Sequence, residues 1–185
     1  MNTFTLIFIL CWSLNCTAFN ISQFNGPIIN TLTSGCCDSV LSSNASFFYC
    51  STGTKDRIEI FKNSGNGFEP FETILTPPKT CFFDVVEDEE KVYVGVMRFM
   101  HVFQKINGTY ENVMLIDTYS RITGITLVQG LIVTSHFDEH IRFYRLSDYG
   151  LERILVAGFR TAGVSETDDR SLLATGGKDN YTRIF

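Results

Sequence analysis

The chain of 185 residues repeats a short pattern at a nearly constant interval, and this periodicity restricts its fold more than any other feature. Each unit contains about four short apolar segments, separated by turns rich in Gly, Asn, Asp and Pro. No stretch has a helical pattern of useful length. The sequence therefore predicts repeated units of short strands. The aromatic residues that end one strand of each unit lie at intervals of 42, 41 and 41 residues, and they are Phe61, Phe103, Tyr144 and Phe185.

A unit of about 40–45 residues with four strands is typical of one blade of a β-propeller. The predicted fold is all-β, with about four blades of four short antiparallel strands. Because propellers have roughly four to eight blades, we expect an open half-ring for a single chain. A closed four-bladed ring and a ring joined from two chains are the alternatives. The blades are predicted at about residues 37–76, 80–117, 121–157 and 161–185, with residues 20–32 as a spare outer strand.

The last unit, residues 171–185, reads SLLATGGKDNYTRIF and consists of a strand, a tight turn and a second strand. It resembles a WD repeat, because the turn GGKDN at residues 176–180 is of the kind that this family shows before its terminal Trp-Asp, and Phe185 stands in the position of the tryptophan. No unit has Trp-Asp, and the Gly-His opening of the family is absent, so the repeat is degenerate. The resemblance covers about residues 37–185, and only the last unit is specific. It implies a rigid propeller face that presents loops to a protein partner.

The N-terminus predicts a secretory signal peptide at residues 1–18. Residues 4–14 form an apolar run that is too short for a membrane span but suits the apolar core of a signal. Cys16 and Ala18 place small side chains at the −3 and −1 positions of a cleavage after Ala18. A buried first strand is the alternative. No second apolar run of spanning length follows, so we expect the WD-like domain, residues 19–185, to have no membrane span and to be secreted or held in the lumen of the secretory pathway.

Cysteines and glycosylation motifs after the predicted signal agree with export. The number of cysteines is even, as a disulfide framework in an oxidising compartment requires. A bond between two adjacent cysteines would be strained, so each is expected to reach one of the other two; one disulfide with two free thiols is the alternative. The cysteines are Cys36, Cys37, Cys50 and Cys81. The predicted N-glycosylation sites are Asn20, Asn44, Asn107 and Asn180.

Candidate catalytic and metal-binding residues are few. His136 and His140 are four residues apart, a spacing that suits a metal on a helix, but here it falls on a hairpin turn. The acidic residues 87–90 lack the alternate spacing and the glycine of a calcium loop, so we interpret them as a solvated turn. Asp84 is the one carboxylate predicted on the inner strands, and one carboxylate does not make an acid–base pair. We therefore predict no enzyme, no metal and no cofactor.

The expected function is a non-enzymatic protein-binding or scaffold module. The net charge of −5 and the absence of a Lys/Arg cluster argue against nucleic acid as a partner. A protein partner is expected, and a homodimer that joins the blades into one ring is a second form of association. The alternatives are a propeller-type hydrolase or oxidoreductase completed by additional or partner blades, and a truncated paralogue without its own function. The residues predicted to face a partner are Arg98, His136, Asp138, Arg160 and Asp179.

Overall fold

The computed structural model describes residues 39–41, 46–51, 56–65, 67–77, 84–88, 90–166, 173–177 and 182–184. In these residues every regular element is a β-strand, and the fifteen strands form four antiparallel sheets. The part of the chain that is described contains no helix long and apolar enough to cross a membrane. The predicted signal peptide (residues 1–18) and the predicted spare outer strand (residues 20–32) lie outside the described residues.

Within each sheet the strands follow one another in chain order, so each sheet is a simple meander. The first sheet contains β1 (Ser39–Leu41), β2 (Phe47–Ser51), β3 (Arg57–Asn63) and β4 (Phe68–Leu75). The second contains β5 (Asp84–Glu87), β6 (Lys91–Val96), β7 (Phe99–Ile106) and β8 (Thr109–Asp117). The third contains β9 (Ile122–Val128), β10 (Leu131–His136), β11 (His140–Arg145) and β12 (Leu151–Val156). The fourth has three described strands, β13 (Thr161–Glu166), β14 (Leu173–Gly177) and β15 (Thr182–Ile184).

The sheets are arranged like the blades of an open propeller. The first strands of consecutive sheets are neighbours: β1 contacts β5, β5 contacts β9, and β9 contacts β13. The four sheets do not close into a ring. The predicted all-β fold, with about four antiparallel blades in an open arrangement, is confirmed.

Three apolar layers fill the spaces between consecutive sheets. Strand β6 shows why the sequence forms them, because successive side chains of a strand point to opposite faces. Val92 and Val94 pack with the first sheet, whereas Tyr93 between them packs with the third. Gly95, on the same face of this strand as Tyr93, lies close to the third sheet, because an added Cβ would be 3.0 Å from Cγ2 of Ile122 on β9. A continuous apolar strand with one glycine is therefore what a sheet covered on both faces requires.

Polar side chains tie neighbouring sheets together beside the apolar layers. Asp84 on β5 accepts a hydrogen bond from the backbone N–H of Ile125 on β9, with 2.9 Å between Oδ2 and N. The hydroxyl of Tyr49 in the first sheet donates to Glu87 in the second. Burial is the first cause that raises the pKa of this tyrosine, and the Glu87 carboxylate raises it further. The inner carboxylate that the sequence singles out, Asp84, thus serves to connect two blades.

Candidate functional site

Turns and links from three sheets meet at one end of the structure, which we call the turn end. It consists of the β6–β7 and β10–β11 turns together with the β8–β9 and β12–β13 links. The backbone N–H of Ile122 donates to the carbonyl of Met97 at 2.6 Å, and that of Phe137 donates to Arg121 at 2.9 Å. Ala157 donates in the same way to Glu139 at 2.8 Å. These bonds join two turns and two links into one continuous surface.

Four of the five residues predicted to face a partner lie at the turn end, and Asp179 lies outside the described residues. Arg98 is exposed and forms an ion pair with Asp117 at 3.0 Å. The guanidinium carbon of Arg160 lies 3.0 Å from the centre of the Phe137 ring. The other two, His136 and Asp138, occupy the β10–β11 turn but are engaged within the protein. Whether any of the five contacts a partner stays a prediction.

His136 is fully buried and holds the β10–β11 turn against its neighbours. Its Nδ1 lies 3.0 Å from the carbonyl oxygen of Ser120, and its Nε2 lies 2.7 Å from Oγ1 of Thr134. A neutral ring that donates from Nδ1 and accepts at Nε2 satisfies both contacts. Thr161 donates to the His136 carbonyl at 2.8 Å, so the fourth sheet is attached to the same turn. Burial lowers the pKa of His136 to about 4, and the positive charge of Arg142 contributes.

Asp138 and Arg142 form a two-bonded ion pair inside the same hairpin. The guanidinium nitrogens lie 3.1 and 2.6 Å from the two carboxylate oxygens. Arg142 is buried, with only 6% of its surface exposed. Partial burial raises the pKa of Asp138, but the hydrogen bonds and charge of Arg142 outweigh it and lower the pKa to about 2. The pair therefore stays ionised at neutral pH and fixes the turn.

The histidines of this hairpin are not arranged as metal ligands. Both ring nitrogens of His136 are hydrogen-bonded, and Nδ1 of His140 lies 2.7 Å from the backbone oxygen of Asp138. In the described ranges, no group of three or more His, Cys, Asp and Glu side chains could hold a metal ion. The described side chains of the turn end form hydrogen bonds, ion pairs and apolar contacts.

Of the acidic residues 87–90, Glu87 ends β5, and Asp88 and Glu90 lie between β5 and β6. Oδ1 of Asp88 accepts from the backbone N–H groups of Glu90 and Lys91 at 2.9 and 2.8 Å. Its Oδ2 accepts from the hydroxyl of Tyr93 at 2.6 Å. Glu89 lies outside the described residues. Asp88 thus satisfies the backbone of a tight turn, as short polar side chains commonly do.

A cavity of about 330 Å³ opens between the third and fourth sheets, away from the turn end. Arg153 is the one charged side chain among the residues that line it. A catalytic site requires several convergent polar or titratable groups, and this lining does not supply them. The lining residues are Val128, Gln129, Leu131, Phe143, Arg153, Leu155 and Leu173.

The cysteine and glycosylation predictions fall only partly on described residues. Cys50 is buried on β2 and disulfide-bonded, whereas Cys36, Cys37 and Cys81 lie outside the described residues, so the pairing stays a prediction. Asn107 is exposed in the two-residue β7–β8 turn, with a φ of 51° followed by 86° at Gly108. This Asn-Gly pair supplies the positive φ values that a tight hairpin turn needs. The remaining glycosylation motifs, at Asn20, Asn44 and Asn180, lie outside the described residues.

Sequence reasoning missed the exposed apolar side chains of the turn end. Met97 is 55% exposed, Tyr119 is 71% exposed and Phe137 is 40% exposed. Met97 and Tyr119 have positive φ values of 52° and 67°, which are uncommon for large residues. A sequence pattern could have revealed two of these residues. In the β6–β7 turn and in the β8–β9 link, a large apolar residue precedes an arginine: Met97-Arg98 and Tyr119-Ser-Arg121. We define the turn-end patch as Met97, Arg98, Tyr119, Arg121, Phe137 and Arg160.

No protein-family model matches the chain, and no curated protein sequence matches it. The aromatic, methionine and arginine side chains exposed at the turn end are of the types that are enriched at protein interfaces.

Proposed function

We propose that the chain is a non-enzymatic protein-binding module of the propeller type and that the turn-end patch holds its partner. The observation that carries this proposal is the group of exposed Met97, Tyr119 and Phe137 beside Arg98 and Arg160. Tyr, Phe, Met and Arg are the residue types enriched at the centres of protein interfaces, and Tyr and Arg dominate their binding energies.

The rigidity of the patch supports the same proposal. The patch residues lie on short turns and links whose backbone hydrogen bonds connect the second and third sheets. The buried His136 and the Asp138–Arg142 pair fix the β10–β11 turn that carries Phe137. A surface that is already ordered loses little conformational entropy when it binds. Loops on a rigid scaffold are also the usual place for binding residues.

The proposal extends to the kind of propeller and to its location. We propose a degenerate WD-repeat propeller that is secreted or acts in the lumen of the secretory pathway. The last unit with its GGKDN turn supports the first point, and the apolar residues 4–14 support the second. The disulfide at Cys50 agrees with an oxidising compartment.

Comparison of two matched triple variants tests the proposal. One replaces the exposed apolar side chains of the turn end, Met97→Ala, Tyr119→Ala and Phe137→Ala. The control replaces three exposed apolar side chains on the outer strand β8, Val113→Ala, Met114→Ala and Leu115→Ala. Each tagged protein is secreted from cultured cells, its fold is checked by circular dichroism, and the proteins that it captures are identified by mass spectrometry.

We expect the wild type and the β8 control to capture the same specific proteins and the turn-end variant to lose them. Truncation of central aromatic residues commonly costs about 2 kcal/mol or more of binding free energy, enough to remove a partner during washing. Capture of an unchanged set by the turn-end variant would place the interface elsewhere and overturn the proposal.

A further inference from the structure

The charges of the turn end indicate the chemistry of the partner. We infer that the patch binds an extended acidic segment of a protein, which presents both carboxylates and apolar side chains to the patch; this inference rests on the proposed function. The chain carries a net charge of −5, yet its turn-end patch contains three arginines and no acidic residue. A local cationic surface on an acidic protein attracts negatively charged ligands and orients their approach.

Three described acidic residues lie around the patch: Asp117, Asp138 and Glu139. Asp138 is neutralised by its two bonds to the buried Arg142. Asp117 pairs with Arg98, but both side chains are largely exposed, at 40% and 57%. Exposed ion pairs are weak, so a partner carboxylate can join or replace this one. Among the described residues of the turn end, Glu139 is the remaining exposed acid.

Arg160 is arranged to bind a carboxylate. Its guanidinium carbon lies 3.0 Å from the centre of the Phe137 ring, so the ring contacts the guanidinium group. The N–H donors of a guanidinium group form a planar fork that matches the two oxygens of a carboxylate. A ring contact that limits the movement of the group prepares it for such a pair, because less side-chain entropy is lost on binding.

The extent of the patch favours a short extended segment. Packed sheets are about 10 Å apart, so the patch spans roughly 20 Å from the turn of the second sheet to the link before the fourth. An extended chain rises about 3.3 Å per residue, so about six residues cover this distance. Alternate side chains of such a segment point the same way. The set that faces the patch can include apolar side chains that rest on Met97, Tyr119 and Phe137 and carboxylates that reach Arg98 and Arg160.

Selection from a random peptide library tests the inference without assuming a ligand. Peptides of roughly nine residues, long enough to span the patch, are displayed on phage and selected on the intact secreted protein. Counter-selection uses the Arg98→Ala, Arg160→Ala double variant. The matched control removes two cationic side chains away from the turn end, Lys105→Ala and Arg153→Ala.

We expect enriched peptides to contain several Asp or Glu residues with Leu, Phe or similar side chains between them. Their affinity, measured by fluorescence polarisation, should fall at least about tenfold when Asp and Glu become Asn and Gln, and similarly with the arginine double variant. It should be unchanged with the control and should weaken as salt is added. Neutral or basic consensus peptides, no enrichment, or equal binding to the double variant would overturn the inference. The proposed protein-binding function would still hold if the variant Met97→Ala, Tyr119→Ala, Phe137→Ala loses the captured partners. If that variant keeps all of them, the proposed function and this inference are both wrong.

Discussion

His136 shows how a single buried residue makes the stability of the whole chain depend on pH. In the folded protein its pKa is lowered to about 4, first by burial and then by the charge of Arg142, against an ordinary value of 6.5. Below pH 6.5 the unfolded chain takes up a proton at this histidine, whereas the folded chain does so only near pH 4. The folded state therefore loses stability as the pH falls through this window.

We expect the free energy of unfolding to fall by about 2 kcal/mol between pH 7 and pH 5 because of this residue. Chemical denaturation of the wild type and of His136→Gln at the two pH values measures the effect. The variant should lose clearly less stability on acidification than the wild type. His101→Asn is the control. Burial also lowers the pKa of His101, so this variant measures how much His101 contributes to the pH dependence of stability. Equal pH dependence of the unfolding free energy in the wild type and His136→Gln would show that protonation of His136 does not cause the loss of stability.

The Asp138–Arg142 pair gives a second prediction at this scale. Asp138→Asn leaves the guanidinium of Arg142, which is buried, without its compensating charge. Removing one partner of a fully buried pair commonly costs about 3 kcal/mol or more of unfolding free energy. The Asp138 side chain is 34% exposed, so we expect a smaller loss of about 2 kcal/mol. Asp148→Asn is the matched control, because the Arg145–Asp148 pair has a similar 2.9 Å distance but is exposed and should contribute little. Equal urea midpoints for the two variants would show that the buried pair does not stabilise the hairpin.

At the scale of strands and sheets, the sequence predicted the fold well because its signals are local. The turns contain residues such as Asn107 and Gly108 that tolerate positive φ, and strands such as β6 are apolar at successive positions because sheets cover both faces. The site was less predictable. Arg98 and Arg160 were expected at the surface, but the exposure of Met97 and Tyr119 depends on backbone angles and packing that residue type does not reveal. The burial of His136 likewise depends on contacts with Ser120 and Thr161, which are distant in sequence.

Gly124 provides a test of how the inner strands pack. A Cβ at this position would lie 2.7 Å from the backbone nitrogen of Val164 and 2.9 Å from Cα of Gly163 on β13. Gly124→Ala should therefore push β9 and β13 apart and lower the free energy of unfolding by roughly 1–3 kcal/mol. Gly163→Ala is the control, since an added Cβ there has no atom within 4 Å.

Thermal denaturation and limited proteolysis measure the effect of the two glycine variants. Cleavage of Gly124→Ala should begin in the fourth sheet, because that sheet is held through β13. Similar melting temperatures and cleavage patterns for both variants would mean that the contact between β9 and β13 is looser than the structure describes.

For the whole molecule, the open arrangement of sheets favours association of two chains. Tyr49 packs toward the second sheet, so its neighbour Phe48 points to the opposite face of the first sheet. There Phe48 lies 6.1 Å from Phe61 and 5.9 Å from Phe68, measured between ring centres. Phe61 is buried and Phe48 and Phe68 are half-buried, so this face is already largely covered within the chain. The four sheets do not close into a ring, and we predict that two chains join their blades into one ring.

Light scattering of the secreted and deglycosylated protein tests this prediction. We expect the mass of two chains over a range of protein concentrations. A stable wild-type monomer would exclude the joined ring.

The separation of the turn end from the sheets also bears on how this surface can diversify. Met97, Tyr119 and Arg160 project from short connections, and none of them belongs to the apolar layers between the sheets. If the proposed function holds, we expect substitutions there to change the bound partner at a small cost to folding. The β10–β11 hairpin is the exception, since His136 connects it to Ser120 and to Thr161 of the fourth sheet, and its ion pair fixes the turn. An engineered library should therefore vary the β6–β7 turn and the β8–β9 link and keep the hairpin constant, so that new binding specificities are drawn from chains that still fold.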